Sequence, residues 1–129
     1  MRNYVYVALG GAIGSVARYW LSGAFARWIG AGFPWATLCV NVTGSLLIGF
    51  FAALTAADGR NLLSPGMRTF LMVGICGGYT TFSSFSLQTM ELAQGGQWLK
   101  AGGNILASVA SCLVAVWLGH TLATWLHRT

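Results

Sequence analysis

The sequence predicts an all-α membrane protein with four transmembrane helices, the third of them interrupted. Two bulk properties support this fold class: 56% of the 129 residues are hydrophobic and only 7% carry charge. Soluble domains contain about 25% charged residues, so this chain has too little polar surface for water. A helix that spans a bilayer needs about 20 apolar residues. We therefore predict a single domain, residues 1–129, that crosses the membrane four times through short loops.

The apolar segments place the predicted spans at about residues 4–28, 35–57, 67–92 and 99–126. Pro34 precedes the second span and suits the first turn of a helix. Small residues allow membrane helices to approach closely. The first two spans each carry a face of such residues: Gly10, Gly11, Gly14 and Ser15 in the first, and Gly44, Ser45 and Gly49 in the second.

The composition argues against several functional classes. The net charge of +5 comes from scattered basic residues, with no run that could follow a phosphate backbone, so we expect no nucleic-acid partner. The three cysteines lie in apolar segments without metal-ligand spacing, and we expect them to be small buried residues. His120 and His127 lie near the C-terminal end, and no acid–base pair or Ser–His–Asp set is present. The sequence therefore does not predict an enzyme.

Residues 77–86, with the sequence GGYTTFSSFS, are the most informative stretch because they interrupt the third apolar segment. The glycine pair predicts a helix break near residues 77–80. Irregular backbone at membrane depth persists only where protein or a water-filled cavity satisfies it. The carbonyl end of a broken helix favours cations, and its N–H end favours anions. A simple kink, with hydroxyls bonded back to the backbone, is the alternative. The hydroxyls of Thr80, Thr81, Ser83 and Ser84 favour a break that lines a path for a small solute.

Phe82 and Phe85 are three residues apart and so share one face of the second half-helix. On spacing alone, such a pair favours core packing. The edge of a phenyl ring nevertheless carries partial positive charge, so it could face a small anion without a fixed charge that would trap it.

Three further polar positions lie within the predicted spans. Asn41 could connect helices or donate to a passing ion, and the sequence leaves both interpretations open. Arg18 is the only basic residue well inside a span, and it could draw anions toward a vestibule, brace the fold or extend to the surface. A stripe on the fourth span could form a polar track or bond to its own helix, and it consists of Asn104, Ser108 and Ser111.

The chain has no carboxylate at mid-membrane, since Asp58 is in a loop and Glu91 lies near the end of the third span. A proton-coupled antiporter needs such a group. The orientation of the chain is weakly specified by its basic residues. This permits an antiparallel dimer of identical chains. Arg2, Arg60, Arg68 and Arg128 fall on one side, and Arg27 and Lys100 on the other.

Three motifs give the chain a resemblance to the Fluc (CrcB) fluoride channels, over essentially its whole length. They are GxxxRY at residues 14–19, NVTGS at residues 41–45 and GGYTTFSSFS at residues 77–86. The resemblance implies a fluoride-selective channel that exports fluoride passively across the bacterial inner membrane and lowers cytoplasmic fluoride. A small dual-topology proton-coupled drug antiporter is the alternative function.

The resemblance also implies an architecture and a set of site residues. The expected assembly is a dual-topology antiparallel homodimer in membrane lipid, with a structural sodium ion at its centre held by the backbone carbonyls of Gly77 and Thr80. Where the family often has Tyr near the start of the fourth-span polar face, this chain has Asn104. The fluoride pore would be lined by Asn41, Thr81, Phe82, Ser84, Phe85 and Ser108, with Arg18 at the inner end of a vestibule.

Overall fold

The computed structural model describes residues 1–30, 32–56 and 62–128, and every regular element in these ranges is helical, which confirms the all-α prediction. Asp58 and Arg60 lie outside the described residues. The elements are α1 (Arg2–Trp28), α2 (Trp35–Ala56), α3 (Pro65–Arg68), a π-helical segment (Thr69–Cys76), α4 (Gly77–Tyr79), α5 (Phe82–Gln94) and α6 (Trp98–Arg128).

Three helical stretches of the described residues are long and apolar enough to cross a membrane: Trp35–Thr55, Pro65–Gln94 and Trp98–His127. Helix α1 has 27 residues, so it is about 40 Å long at 1.5 Å per residue, but it is less apolar than the other three. Arg18, near its middle, lowers its hydropathy.

The first close helix contact joins α1 to the third span through glycines. A Cβ added to Gly10 would lie 2.6 Å from the Phe70 carbonyl oxygen and 2.8 Å from the Gly74 Cα. A Cβ on Gly78 would lie 2.6 Å from the Gly11 carbonyl oxygen. These backbones therefore touch directly, as the small-residue face on the first span predicts.

The second close contact joins α2 to α6. A Cβ on Gly49 would collide with the Val116 carbonyl oxygen, and one on Gly119 would collide with that of Leu46. Gly49 belongs to the predicted small-residue face, whereas Gly119 was not singled out from the sequence. The fold thus consists of two tightly packed helix pairs.

The two pairs meet at the interrupted third span, and much of the remaining surface is apolar. A Cβ on Gly44 of α2 would meet the Thr80 methyl group, so α2 also packs against the end of α4. Large exposed apolar surfaces require lipid or another protein chain to cover them. Exposed apolar side chains follow the length of α6 and include Leu99, Leu106, Leu113, Trp117 and Trp125.

Candidate ion path at the broken helix

The break in the third span lies at Thr80 and Thr81, which both have extended backbone (φ −77°, ψ 157° and φ −151°, ψ 112°). The break begins at the C-terminal end of the predicted range of residues 77–80, because Gly77 and Gly78 remain helical within α4. Gly78 is needed for contact with α1 rather than for a turn. The glycine pair therefore precedes the break instead of forming it.

Side chains of the two threonines close the helix ends on either side of the break. The backbone N–H and the hydroxyl of Thr80 both donate to the Cys76 carbonyl, at 3.0 and 2.9 Å. The Thr81 hydroxyl oxygen accepts the Ser84 N–H at 3.1 Å, which makes Thr81 the N-cap of α5. Each half-helix is thus terminated by a defined hydrogen bond.

Asn41 of α2 binds the break from the neighbouring helix. Its Oδ1 accepts the Thr81 N–H at 2.8 Å, and its Nδ2 donates to the Thr81 carbonyl at 3.0 Å. A single amide therefore satisfies both backbone groups of one extended residue. The sequence left open whether Asn41 connects helices or donates to an ion, and these two bonds show that it connects α2 to the third span. An amide carries a second N–H, which leaves a donor for the adjoining groove.

The same contacts remove the helical partners of two carbonyls. In a continuous α-helix the Thr81 N–H would bond to the Gly77 carbonyl, and the Ser84 N–H to that of Thr80. The first N–H instead donates to Asn41, and the second to the Thr81 hydroxyl. Gly77 is exposed and Thr80 half-buried. The break therefore leaves the carbonyl groups of these two residues without the donors that a regular helix supplies.

A groove of about 360 Å³, here named the Phe groove, lies beside the break. Phe82 is 78% exposed and Phe85 only 8% exposed, and their ring centroids are 5.3 Å apart. Phe85 is therefore packed into the protein as a wall of the groove, whereas Phe82 lies on the exposed side of the groove. The groove brings together six predicted site residues: Asn41, Thr80, Thr81, Phe82, Phe85 and Ser108.

Arg18 lines a second cavity of about 450 Å³, here named the Arg18 cavity. Thr81 lines both this cavity and the Phe groove. Ser84, which the resemblance assigns to the pore, lines the Arg18 cavity. The Thr81 hydroxyl donates to Ser84 Oγ at 3.1 Å, and Ser83 Oγ lies 3.2 Å from Thr81 Oγ1. The two cavities therefore share a lining residue that belongs to a short chain of hydroxyl groups.

A third cavity of about 440 Å³ continues from the Arg18 cavity toward the Trp35 end of α2, where Glu91 also lines it. The two share Ser22, Thr37 and Gln88. Among the described residues, the buried Gln88 Oε1 has no hydrogen-bond partner. Gln88 was missed by the sequence analysis, although its spacing of four from Ser84 placed it on the same helix face.

The polar stripe of the fourth span divides between the two predicted roles. Ser108 is buried and lines the Phe groove. Ser111 donates to the Ala107 carbonyl of its own helix. Asn104 is only 1% exposed and is bonded to other side chains instead of lining the groove. Spacing placed the three on one face, but their depth in the helix packing differs.

Comparison with known proteins identifies the family to which this arrangement belongs. The model of the family described as "CrcB-like protein, Camphor Resistance (CrcB)" matches residues 5–120. The chain belongs to the CrcB-like family. The match includes the break, the Phe groove and the Arg18 cavity.

Curated members of the CrcB-like family resemble the chain over nearly its full length. A Paramagnetospirillum magneticum protein named "Fluoride-specific ion channel FluC" is 60% identical over 99% of this chain and 100% of its own length. Proteins of the same name from Opitutus terrae and Rhodospirillum rubrum are 58% and 57% identical, each over 98% of this chain and 96% and 98% of their own lengths.

Proposed function

We propose that this CrcB-like protein is a fluoride-selective ion channel that exports fluoride passively across the bacterial inner membrane and thereby lowers cytoplasmic fluoride. The observation that carries the proposal is that Thr81, at the helix break, lines both the Phe groove and the Arg18 cavity, in a chain 57–60% identical to proteins named as fluoride-specific channels. It is a transport protein of several membrane-spanning helices and not an enzyme.

The chemistry of the Phe groove suits a small, strongly hydrated anion. Its lining offers hydroxyl and amide donors from Ser108 and Asn41, and the ring edges of Phe82 and Phe85. Neutral donors can replace a hydration shell without binding so tightly that the ion cannot leave. Arg18 lies in the adjoining cavity, where its charge raises the local concentration of anions without contacting the groove.

The channel is proposed to act as an antiparallel dual-topology homodimer with α1 as its fourth span. Helix α1 is long enough to cross the bilayer, and Gly10 and Gly14 in its first half pack closely against the third span. Phe82 lines the groove but is 78% exposed in the protomer, and a second copy of the chain is proposed to cover this exposed ring. The remaining exposed apolar surface is proposed to contact membrane lipid.

A structural sodium ion is proposed at the dimer centre, held by the carbonyls of Gly77 and Thr80 from each copy. Among the described residues no cluster of His, Cys, Asp or Glu could hold a metal ion, so a cation here depends on neutral carbonyl oxygens. The loss of the helical partners of both carbonyls fits this donor set. When bound, the ion would supply a positive field behind the hydroxyl chain.

The alternative, a proton-coupled antiporter, is not favoured. Among the described residues that line the Phe groove and the Arg18 cavity, none is Asp or Glu. Glu91 lines the third cavity, toward the end of α5.

Purified protein in liposomes tests the function directly. We expect fluoride efflux down its gradient, with little chloride efflux, at equal pH on both sides and without another coupling ion. Efflux that requires a proton gradient, or equal passage of fluoride and chloride, would contradict the proposal.

A further inference from the structure

A hydrogen-bonded chain connects α5 to α6 behind the Phe groove. Ser108 Oγ donates to Asn104 Oδ1 at 3.4 Å, and Asn104 Nδ2 donates to Thr89 Oγ1 at 2.8 Å. Thr89 Oγ1 in turn donates to the Phe85 carbonyl at 2.7 Å. The chain therefore runs from one residue of the groove lining to the backbone of another.

The number of protons fixes the direction of this chain. A threonine hydroxyl has one proton, and that of Thr89 is used by the Phe85 carbonyl. Thr89 Oγ1 can therefore only accept from Asn104. This assigns the amide orientation, with Nδ2 toward Thr89 and Oδ1 toward Ser108. Since Oδ1 only accepts, it attracts the single hydroxyl proton of Ser108 away from the groove.

The two ends of the chain line the groove, whereas its middle does not. Ser108 and Phe85 belong to the groove lining; Asn104 and Thr89 do not. The Ser108–Asn104 distance of 3.4 Å is long for a hydroxyl hydrogen bond, so this bond is the weak one of the three. The Ser108 hydroxyl is consequently the member most easily turned toward an anion.

We propose that Asn104, oriented by Thr89, is a positioning residue that makes Ser108 a reversible donor to the transported ion. The proposal rests on the proposed function and deepens it. With the groove empty, Ser108 donates to Asn104; with fluoride present, the proton turns to the ion. Fluoride then competes with Asn104 Oδ1 for one proton, which weakens its binding and favours its exit.

Replacing Thr89 with valine tests the orientation of the Asn104 amide without changing a residue that lines the Phe groove. Thr89→Val retains the shape of the side chain but removes the acceptor that holds Asn104 Nδ2. The amide is then free to turn and donate an N–H to Ser108 Oγ, and the Ser108 proton is left for fluoride. The half-saturating fluoride concentration should fall about two- to tenfold, because a change of this size corresponds to the net free energy of one neutral hydrogen bond.

The experiment measures initial fluoride efflux from liposomes against internal fluoride concentration. Thr89→Val should lower the half-saturating concentration, and Thr89→Ser, which keeps the hydroxyl, should restore the wild-type value. Thr121→Val is the matched control, because the Thr121 hydroxyl bonds only to carbonyls of its own helix in the described structure. A structural defect alone would lower the number of active channels and the maximal rate without this shift.

An unchanged half-saturating concentration in Thr89→Val, or an equal shift in Thr89→Ser, would overturn the proposal. If the valine variant does not assemble, Thr89→Ala removes the same acceptor and should shift the concentration in the same direction. Introducing Thr89→Val into a Ser108→Ala background should produce no further shift. Wild-type protein that passes no fluoride would instead refute the proposed function itself.

Discussion

The side-chain amide of Asn41 holds both backbone groups of Thr81, a residue 40 positions later in the chain, with distances of 2.8 Å to its nitrogen and 3.0 Å to its oxygen. A buried backbone group without a partner costs about 1–3 kcal/mol, so this pairing is what allows extended backbone at the centre of a helical bundle. The break in the third span is therefore specified by a side chain on the second.

Asn41→Asp tests this pairing and the transport path together. A carboxylate can still accept the Thr81 N–H but cannot donate to its carbonyl, and its negative charge repels an anion in the groove. We expect fluoride efflux to fall at least about tenfold, since like charges a few ångströms apart cost more than 1 kcal/mol where screening is weak.

Dimer formation, measured by size-exclusion chromatography, should persist in Asn41→Asp because the change adds no bulk. Efflux at the wild-type rate would assign Asn41 to helix connection alone.

The two phenylalanines should matter more for transport than for stability. Phe82→Ile and Phe85→Ile should both reduce fluoride efflux strongly, because each removes a ring edge from the groove. Both changes roughly retain side-chain volume, so each should lower the free energy of unfolding by only about 1 kcal/mol.

Fluoride flux and thermal unfolding in detergent, measured on the same preparations, check this expectation. Phe51→Ile is the control, since Phe51 lies outside the Phe groove. If either groove variant retains full flux, that ring has no role in conduction.

The helical class followed from the sequence because apolar length is the main constraint on a membrane chain. The close packing of Gly10 and Gly49 was likewise predictable, since small residues at helical spacing have few other uses in a membrane helix. Five of the six residues around the Phe groove could be named from motifs and Ser108 from the polar stripe of the fourth span, but their relative exposure could not be predicted. Phe82 and Phe85 have identical side chains, and only tertiary packing makes one of them exposed and the other buried.

The glycine pair alone could not fix the residue at which the helix breaks, because glycine has two uses. A glycine pair permits a turn, but it also permits backbone contact between helices, and Gly78 serves the second purpose. Likewise, Asn104 shares a helix face with Ser108 but is turned into the α5–α6 contact, where it bonds to Thr89. Both distinctions depend on partners from other helices, which local spacing does not contain.

Gly78→Ala should destabilise the protein because a Cβ there would lie 2.6 Å from the Gly11 carbonyl oxygen, and both groups are backbone. We expect the free energy of unfolding to fall by about 1–3 kcal/mol, as for other overpacked sites. Gly23→Ala, in the same helix pair but with nothing within 4 Å of its Cβ, is the matched control. Equal melting temperatures for the two variants would contradict the close contact of α1 with the third span.

The proposed sodium site should depend on Asn41 more than on the Thr80 side chain. Asn41→Leu frees the Thr81 N–H to return to the Gly77 carbonyl, which would re-form the helix and remove a sodium ligand. Thr80→Ala retains the backbone carbonyl and loses the hydroxyl bond to Cys76, which contributes about 1 kcal/mol, together with the methyl contact with Gly44. We therefore expect the cation to be absent from Asn41→Leu and present in Thr80→Ala. Anomalous scattering from thallium-soaked crystals of the dimer measures its occupancy. Full occupancy of the site in Asn41→Leu would contradict the proposed sodium site. The absence of a cation at these carbonyls in wild-type protein that conducts fluoride would contradict it as well.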